Sequence, residues 1–368
     1  MPSLYLRPIG LSDSPQSEEG DAVRLAGGMV YAHRFALIVR EDHQIVSRTR
    51  VSAPDMAEAL ARLPGELAAE SEAQWVNLRA AHVPLQCGSR MIRLDQPQVM
   101  GILNMTPDSF SDGGEFLDKP EVAAAHAAAM LEGGAAIVDV GGESTRPGSA
   151  AVWEGDELKR VVPMIERLAS GGAAVSIDSR RATVIEAALG AGAALVNDVS
   201  ALRHDPRSLE LVARHGVPVV LMHAPGDEGD LHADGRYADV VLDVFDWLAA
   251  RRDAAISAGI AGDRIILDPG IGFGKTLAEN LALINALPLF HALGHPLLVG
   301  ASRKRMIGAL SNEAPAHLRL GGSVALAIKA MDAGVQLHRV HDVAETVQAL
   351  RIWRGLRDAA LTDFAQLP

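Results

Sequence analysis

The chain has 368 residues, enough for one large domain with a smaller partner or for two ordinary domains. Hydrophobic residues make up 48% of the sequence but aromatic residues only 4%, so the core must be built from Ala, Val, Leu and Ile, which favours an α/β architecture over a sandwich. A formal net charge of −12, without a basic stripe interleaved with aromatics, disfavours nucleic acid and anionic membranes as partners and leaves small molecules.

Cysteine usage and hydropathy predict the compartment. Cys87 is the one cysteine, which excludes an internal disulfide framework. The N-terminus lacks the basic start and apolar run of a signal peptide, and no stretch has the length of a transmembrane helix. We therefore expect a soluble, cytoplasmic protein.

Residues 1–96 show no regular alternation of strands and helices. They contain a Ser/Asp/Glu-rich stretch at Ser12–Asp21, one strand-like run at Phe35–Arg40, one helical stretch at Pro54–Glu72, and a segment, Gln74–Asp95, suited to further strands. We expect a small, partly folded α/β extension that packs on the bottom or side of the following domain. Its role stays open between a stabilising subdomain and a docking surface for another enzyme.

From residue 97 to 368, a short apolar run, a Gly-rich polar turn and an Ala-rich helical stretch recur eight times. The predicted strands are Val99–Leu103, Ala136–Val140, Ala174–Ile177, Ala194–Val196, Pro218–Met222, Ile265–Leu267, Pro296–Val299 and Gln336–Val340. The predicted helices include Pro120–Glu132, Asp156–Ser170, Arg180–Ala191, Tyr237–Ala258, Leu277–Ala286, Leu320–Ala333 and Val343–Arg357. Eight buried parallel strands over this length predict a (β/α)8 TIM barrel. An open doubly wound sheet remains an alternative, because periodicity does not show closure.

Polar residues fall where the predicted strands end. The ends read Asn104, Asp139–Gly141, Asp178, Asn197–Asp198, Met222–His223, Asp268, Gly300–Ser302 and Arg339–His341. Each lies on the C-terminal side of its strand, which is the catalytic face of a barrel. A single carboxylate there could merely cap the next helix. All eight together predict an enzyme site.

The first two strand-to-helix loops suggest anion binding. After Asn104, a loop containing Thr106, Asp108 and Asp112 offers hard oxygen ligands for Mg2+ on a diphosphate, although a solvated turn is the alternative. After the second strand, Thr145 offers a hydroxyl, and Arg146 offers a planar cation that can grip phosphate in bidentate fashion. A surface ion pair is the alternative for Arg146.

Later strand ends suggest a flat heterocycle and a second cationic cluster. Asp178, Asn197 and Asp268 suit the edge of an amino-pyrimidinone ring, and no zinc-type ligand spacing accompanies them. The basic run Arg303–Arg305, with Arg339 and His341 on the next strand, predicts a pocket for anionic groups, although a solvated basic patch is the alternative. The segment DPGIGFGKT lacks the spacing of a nucleotide-binding P-loop.

The same segments resemble the dihydropteroate synthase family. The matching blocks, in chain order, are GILNMTPDSFSDGG, DVGGESTRPGS, SIDS, VND, LMH, DPGIGFGKT, LVGASRKRMIG and RVHD. The resemblance implies the same eightfold barrel. It also implies condensation of 6-hydroxymethyl-7,8-dihydropterin diphosphate with 4-aminobenzoate in folate biosynthesis, with release of pyrophosphate. Sulfonamides are expected inhibitors.

Carried over residue by residue, the resemblance implies three adjoining subsites. The pterin would be held by Asp178, Asn197, Asp268 and Lys304, with Met222 packing beside it. The diphosphate would lie among Asn104, Thr145, Arg146, Arg339 and His341, and Asn104 with Asp112 would bind Mg2+. Aminobenzoate would be framed by Thr145, Pro147, Phe273, Lys304 and Arg305. Several family members carry Ser at the position of Arg305.

Catalysis would then rest on Asp178, Lys304, Arg339 and His341. Mg2+, Arg339 and His341 would stabilise the departing pyrophosphate, and a carboxylate, Asp178, would favour the resulting pterin cation. The aryl amine would attack without a strong base. The resemblance also implies a homodimer through helices on the far side of the barrel.

Two other functions remain open from the sequence. A catalytically silent paralogue with a binding or regulatory role would be expected to lack one of Asn104, Arg146, Asp178 or Lys304, and all four are present. A methyltetrahydrofolate-dependent methyltransferase would keep the pterin carboxylates but would not need the loop DSFSDGG or the anion cluster.

Overall fold

The computed structural model describes residues 2–12, 21–106, 120–144, 152–226 and 231–361. Its N-terminal part begins with an antiparallel sheet. The strands are β1 (Ser3–Ser12), β2 (Val23–Arg24), β3 (Tyr31–Glu41) and β4 (Gln44–Ser52). β3 is central, because it pairs with β1 on one side and with β4 and β2 on the other. The sequence prediction of a single strand here was incomplete, since β1 and β4 flank the predicted one.

The helical prediction for this part was also wrong in its bounds. Two helices, α1 (Met56–Ala61) and α2 (Gly65–Arg79), replace the single helix expected over residues 54–72. The break lies at Pro64, whose backbone is extended, with ψ 151°. Because α2 continues to Arg79, the start of the segment expected to form strands is helical. The strands β5 (Leu85–Cys87) and β6 (Arg90–Ile92) follow as a hairpin.

The remaining described strands form the predicted barrel. They are β7 (Gln98–Asn104), β8 (Ile137–Gly141), β9 (Val175–Asp178), β10 (Leu195–Asp198), β11 (Val219–Met222), β12 (Ile265–Asp268), β13 (Leu298–Val299) and β14 (Leu337–Val340). Their order, β12-β11-β10-β9-β8-β7-β14-β13, is parallel throughout. Leu267 of β12 bridges Leu297, just before β13, and joins the two edges. This closure confirms the barrel and excludes the open sheet.

Helices surround the barrel on the outside. They are α3 (Pro120–Gly133), α4 (Glu154–Ser170), α5 (Ala182–Gly190), α6 (Ser208–His215), α7 (Val240–Ser257), α8 (Leu277–Phe290), α9 (Arg305–Leu310), α10 (Leu320–Asp332) and α11 (Val343–Leu361). The sequence prediction missed α6 and α9, because helices of about two turns give only a weak periodic signal. None of the helices in the described ranges combines the length and hydropathy needed to cross a bilayer.

The β5–β6 hairpin covers the N-terminal mouth of the barrel. Leu85, Cys87 and Ile92 of the hairpin, with Leu94 after it, share one buried apolar cluster with the barrel interior. The interior members of this cluster are Met100, Ile137, Ala174, Ala194, Leu195, Val220, Ile266, Leu298 and Leu337. The bottom of the barrel is therefore closed by packed side chains, and the polar strand ends lie at the opposite mouth.

The N-terminal sheet packs on the side of the barrel formed by α7 and α8. Tyr5 donates a 2.7 Å hydrogen bond to Asp246 of α7, and its ring lies edge-on to Phe245 at a centroid distance of 5.4 Å. Arg40 forms ion pairs with Asp243 and Asp246 of the same helix. The sheet is thus fixed to the barrel by buried apolar contacts and ion pairs.

Candidate active site

Arg339 connects two strand-end carboxylates at the C-terminal mouth. Its Nε donates to Asp139 Oδ2 at 2.6 Å, and its Nη2 donates to Asp178 Oδ2 at 2.7 Å. A guanidinium can serve two carboxylates because its donors lie in a rigid planar fork. Although burial alone would lower it, the pKa of Arg339 is raised by the carboxylates of Asp139 and Asp178. Arg339 is therefore a permanent cation between two acidic strands.

Asn197 extends this network across the mouth. Its Nδ2 donates to Asp139 Oδ2 at 3.0 Å, so that one carboxylate oxygen accepts from both Asn197 and Arg339. The other oxygen, Asp139 Oδ1, is buried without a hydrogen-bond partner in the described part of the chain. A buried acceptor of this kind is costly to leave unsatisfied. Asp139 Oδ1 is therefore a buried acceptor beneath the mouth that no described group satisfies.

Asp178 is a buried carboxyl in an acidic neighbourhood. Burial raises its pKa to about 7; Arg339 opposes this rise, and the negative charge of Asp139 adds to it. Gly141 lies between Asp178 and Asn104: a Cβ at this glycine would be 3.6 Å from Asp178 Oδ2 and 3.7 Å from Asn104 Oδ1. Because Gly141 has no side chain, Asn104 and the Asp178 carboxyl face the same space on either side of β8.

Asp268 at the end of β12 is held by the loop that follows it. Its Oδ1 accepts a 2.7 Å hydrogen bond from the backbone of Gly270. Burial raises the pKa of Asp268 to about 6, while the Gly270 hydrogen bond and the charge of Lys304 oppose the rise. Gly270 has φ +70°, and a Cβ there would lie 1.8 Å from the carbonyl oxygen of His223. The loop therefore requires glycine at this position.

Lys275 stabilises the same loop from inside. Its ammonium donates to the carbonyls of Gly270 at 2.8 Å, Phe273 at 3.1 Å and His223 at 3.4 Å. Three carbonyl acceptors match the three donors of an ammonium. Burial lowers the pKa of Lys275 to about 7, and Asp268 acts in the opposite direction. The side chain is occupied by its own loop, which agrees with the rejection of a P-loop from the sequence.

Phe273 and Met222 form an apolar wall beside the polar groups. They share one buried cluster, whose other members are Val199, Ala224 and Leu231. The Lys304 ammonium lies 4.1 Å from the Phe273 ring centroid, and His232 stacks on the same ring at 5.0 Å. The wall presents an apolar surface beside a cation. Such a surface suits an aromatic molecule that bears a negative group.

Ser302 fixes His341 near the ends of β13 and β14. The Ser302 hydroxyl lies 3.1 Å from His341 Nδ1 and accepts from the His341 backbone at 3.2 Å. The neighbouring residue Arg303 forms a bidentate ion pair with Asp342, donating to both carboxylate oxygens of the aspartate. Arg303 is therefore engaged in structure, whereas Lys304 and His341 lie toward the mouth.

Five residues expected in the site lie outside the described residues, namely Asp108, Asp112, Thr145, Arg146 and Pro147. The residues that border the last three are fixed: Val152 donates to Glu143 Oε1 at 3.2 Å, and Glu143 pairs with Arg180 and Arg181. Arg305 is exposed at the first position of α9. The structure thus assembles Asn104, Asp178, Asn197, Met222, Asp268, Phe273, Lys304, Arg339 and His341 at one mouth.

Asp139, Lys275 and Ser302 contact the candidate site, although the sequence indicated no specific role there for any of them. Asp139 and Ser302 were named only as polar strand ends, and Lys275 only within the segment rejected as a P-loop. Asp139 was visible as a carboxylate that interrupts an apolar strand, which is a usable signal. Lys275 was visible as a lysine after three closely spaced glycines. No pattern indicated their partners, because Arg339 lies 200 positions from Asp139 in the chain.

Comparisons with known proteins agree with this geometry. Residues 100–341 match the family model described as pterin binding enzyme. A dihydropteroate synthase of Neisseria meningitidis serogroup C is 46% identical over 280 residues, which cover 75% of this chain and 98% of that protein.

Two solved structures from Xanthomonas albilineans are also similar. A dihydropteroate synthase with 4-aminobenzoic acid has a TM-score of 0.70 and 46% identity, covering 78% of this chain and all of that one. A second structure, with 7,8-dihydropteroate, has a TM-score of 0.67 and 44% identity, covering 77% of this chain and all of that one. The chain belongs to the pterin-binding enzymes and, among them, to the dihydropteroate synthase family.

Proposed function

We propose that the protein condenses 6-hydroxymethyl-7,8-dihydropterin diphosphate with 4-aminobenzoate, giving 7,8-dihydropteroate and pyrophosphate. The observation that carries this assignment is the Arg339 fork between Asp139 and Asp178 at the barrel mouth. It sets a fixed cation and two carboxylates where a diphosphate must leave and a positive carbon must form. The network of Asn197 and the wall of Phe273 complete a site for a flat heterocycle.

The pterin subsite is proposed at Asp178, Asn197, Asp268 and Lys304, with Met222 on its apolar side. An amino-pyrimidinone edge carries both donors and acceptors, and buried carboxyl and amide groups match them. The unsatisfied Asp139 Oδ1 adds a further acceptor. We assign the aminobenzoate rim to Phe273, Lys304 and Arg305, with Thr145 and Pro147 expected to complete it.

The diphosphate subsite is proposed at Asn104, Arg339 and His341, with Thr145 and Arg146 as further expected partners. In the described ranges no cluster of three or more His, Cys, Asp or Glu side chains could hold a metal alone. The proposed diphosphate subsite therefore fits a Mg2+ ion held mainly by phosphate oxygens and water. Asn104 and Asp112 would supply the protein ligands. When bound, the ion neutralises charge on the departing pyrophosphate.

The chemical step follows from the charges at the mouth. The bond between the exocyclic carbon and the diphosphate oxygen breaks, and its electron pair leaves with pyrophosphate, stabilised by Arg339 and His341. The carboxylate of Asp178 stabilises the positive charge left on the pterin. The amine lone pair of aminobenzoate then forms the new C–N bond, and the nitrogen loses its proton to solvent.

We further propose a division of the chain at residue 96 and a homodimer in the cytoplasm. Residues 1–96 contribute the sheet on the barrel side and the hairpin beneath it, which supports a stabilising role.

The proposed dimer is supported by two exposed apolar side chains on α11. Ile352 and Leu356 lie one turn apart on this helix and are 64% and 68% exposed. Sedimentation of the wild type and of Leu356→Asp tests this: a wild-type monomer contradicts the dimer.

The reaction is tested by supplying the pterin diphosphate, 4-aminobenzoate and Mg2+ to purified protein. Dihydropteroate and pyrophosphate should appear in equal amounts, and omission of either substrate should abolish both. Formation of neither product would reject the proposal. Asn104→Ala should raise the Mg2+ concentration needed for half-maximal turnover, and an unchanged requirement would remove Asn104 from the metal site.

A further inference from the structure

The N-terminal sheet carries a groove lined with arginine, and none of its lining residues belongs to the candidate active site. Arg7 of β1, Arg34 of β3, and Arg48 and Arg50 of β4 line a cavity of about 410 Å³. The other lining residues are Ile9, Ala36 and Ile38. A chain with a net charge of −12 thus concentrates positive charge at one point of a small sheet.

Strand register explains the shape of this groove. Ala36 of β3 lies opposite Arg7 on one side and opposite Arg50 on the other, while Arg48 lies opposite Ile38. Cβ atoms directly opposite each other in antiparallel strands are about 5 Å apart. The small Ala36 side chain therefore forms a floor between two long arginines. Ala36 and Ile38 are both buried, so the floor is apolar and continuous with the core.

The positive charge of the groove is only partly compensated: burial and the charge of Arg48 lower the pKa of Arg7, and the charge of Asp239 opposes this in part. In the part of the chain that the structure describes, no carboxylate forms an ion pair with Arg7, Arg34, Arg48 or Arg50. Arg7 donates once, to the carbonyl of Asn285 in α8 at 2.9 Å, and its Nε is buried without a partner. Like charges on neighbouring strands repel each other, so this arrangement costs stability.

Arg40, on the same sheet, differs from the groove arginines because it has a structural role. It lies two residues beyond Ile38 on β3 and is paired with both Asp243 and Asp246 of α7. Arg40 thus has two carboxylates within ion-pair distance, whereas the groove arginines have none among the described residues. The unpaired guanidiniums, the buried Arg7 Nε and the cavity together point to a missing anion.

We propose that this groove binds a compact organic phosphate with two or more phosphoryl groups. Guanidinium groups bind phosphate oxygens in bidentate fashion, and several arginines are suited to several phosphoryl groups. The cavity volume lies in the range of small-molecule sites, and the floor of Ala36 and Ile38 suits the uncharged part of such a ligand. Nucleic acid is disfavoured by the overall negative charge and by the absence of aromatic side chains among the lining residues.

The test compares the full-length protein with Arg48→Gln/Arg50→Gln by isothermal titration. Both arginines are exposed on an edge strand, so we expect the variant to fold. The probes are inorganic triphosphate, a nucleoside triphosphate and orthophosphate, with an oligoglutamate peptide to represent acidic peptides. Arg62→Gln/Arg354→Gln, which removes two exposed arginines outside the groove, is the matched control for net charge.

The wild type should bind triphosphate at one site more than the groove variant, or the variant should bind at least tenfold more weakly. The control should behave as wild type, and synthase turnover should be unchanged in both. Tighter binding of the nucleoside triphosphate than of inorganic triphosphate would identify an organic ligand that uses the apolar floor. Equal isotherms for the wild type and the groove variant would overturn the proposal. Binding of an acidic peptide but of no phosphate probe would overturn it as well.

Discussion

Asp178 Oδ2 lies 2.7 Å from Arg339 Nη2, and the same guanidinium reaches Asp139 with its Nε. One cation is thus shared by two buried carboxyls, so Arg339 alone does not balance the charge of Asp139 and Asp178 when both are ionised. In the proposed mechanism the unbalanced negative charge favours a positive pterin, while Arg339 also faces the leaving anion. The two roles are compatible because different edges of the guanidinium can serve them.

Asp178→Asn tests this division directly. We expect the fold to be retained, because asparagine keeps an oxygen that accepts from Arg339, but turnover should fall at least 100-fold. The measurement is the initial rate of dihydropteroate formation with matched thermal unfolding. Asp253→Asn, an exposed replacement on α7, is the control. Turnover close to that of wild type would remove Asp178 from the catalytic groups.

Asp268→Asn should weaken pterin binding but raise the free energy of unfolding, and the gain in stability should depend on pH. Burial raises the pKa of Asp268 from its ordinary 3.8 to about 6, so the folded protein binds more protons than the unfolded chain between these values. The contribution of Asp268 to the free energy of unfolding therefore falls as pH rises through this window. The full difference corresponds to about 3 kcal/mol.

Denaturant unfolding of the wild type and Asp268→Asn at pH 4 and pH 8 measures this effect. The variant should be the more stable protein at pH 8, and the advantage should vanish at pH 4. Its KM for the pterin substrate should rise. An advantage that is the same at both pH values would show that ionisation of Asp268 is not its source.

Lys275→Met should weaken substrate positioning. The substitution leaves the carbonyls of Gly270 and Phe273 without their donor, at about 1–3 kcal/mol for each group that stays buried. Because the loop carries Phe273, the KM for aminobenzoate should rise about tenfold or more. Lys329→Met, an exposed change on α10, is the control. An unchanged KM in a folded Lys275→Met protein would contradict a positioning role.

Arg305→Ser should alter the aminobenzoate subsite alone. Arg305 is exposed beside Lys304, so its attraction for the substrate carboxylate is screened and is worth about 1 kcal/mol or less. We expect the KM for aminobenzoate to rise about two- to fivefold, with an unchanged KM for the pterin diphosphate. Steady-state kinetics with each substrate varied in turn measure both. Equal changes in both constants would place Arg305 outside the proposed rim.

Removal of residues 1–96 should destabilise the barrel. The deletion exposes the apolar side chains at the N-terminal mouth that the β5–β6 hairpin covers, and it removes the contacts of Tyr5 and Arg40 with α7. We expect a fall in Tm of several degrees and aggregation on heating. A truncated enzyme with full activity and an unchanged Tm would exclude the structural role.

The barrel could be predicted from the sequence because each strand is a short apolar run that ends in a polar residue. Its closure could not, since the Leu267–Leu297 bridge joins edges that no local pattern relates. The candidate site, likewise, could be predicted only in part. Strand ends marked Asp178, Asn197 and Asp268, but hydrogen bonding between distant segments decides that Asp139 and Arg339 act together.

The N-terminal part was harder to predict for a different reason. β4 is exposed along most of its length, so its sequence lacks the apolar alternation that marks a half-buried strand. The break at Pro64 was, in contrast, readable from the chain, because proline disfavours helix for the residue before it. Edge strands and short helices depend on tertiary packing, which local sequence does not encode.

Cys87 lies in the β5–β6 hairpin, so its reactivity can report how often the hairpin leaves the barrel. The thiol is 1% exposed, and burial raises its pKa to about 12, so a thiol reagent should react only after the hairpin leaves the barrel. Because the sequence holds no other cysteine, the labelling rate gives the opening frequency of the barrel floor without engineering. A substrate at the far mouth that slowed this rate would reveal mechanical coupling between the two ends of the barrel.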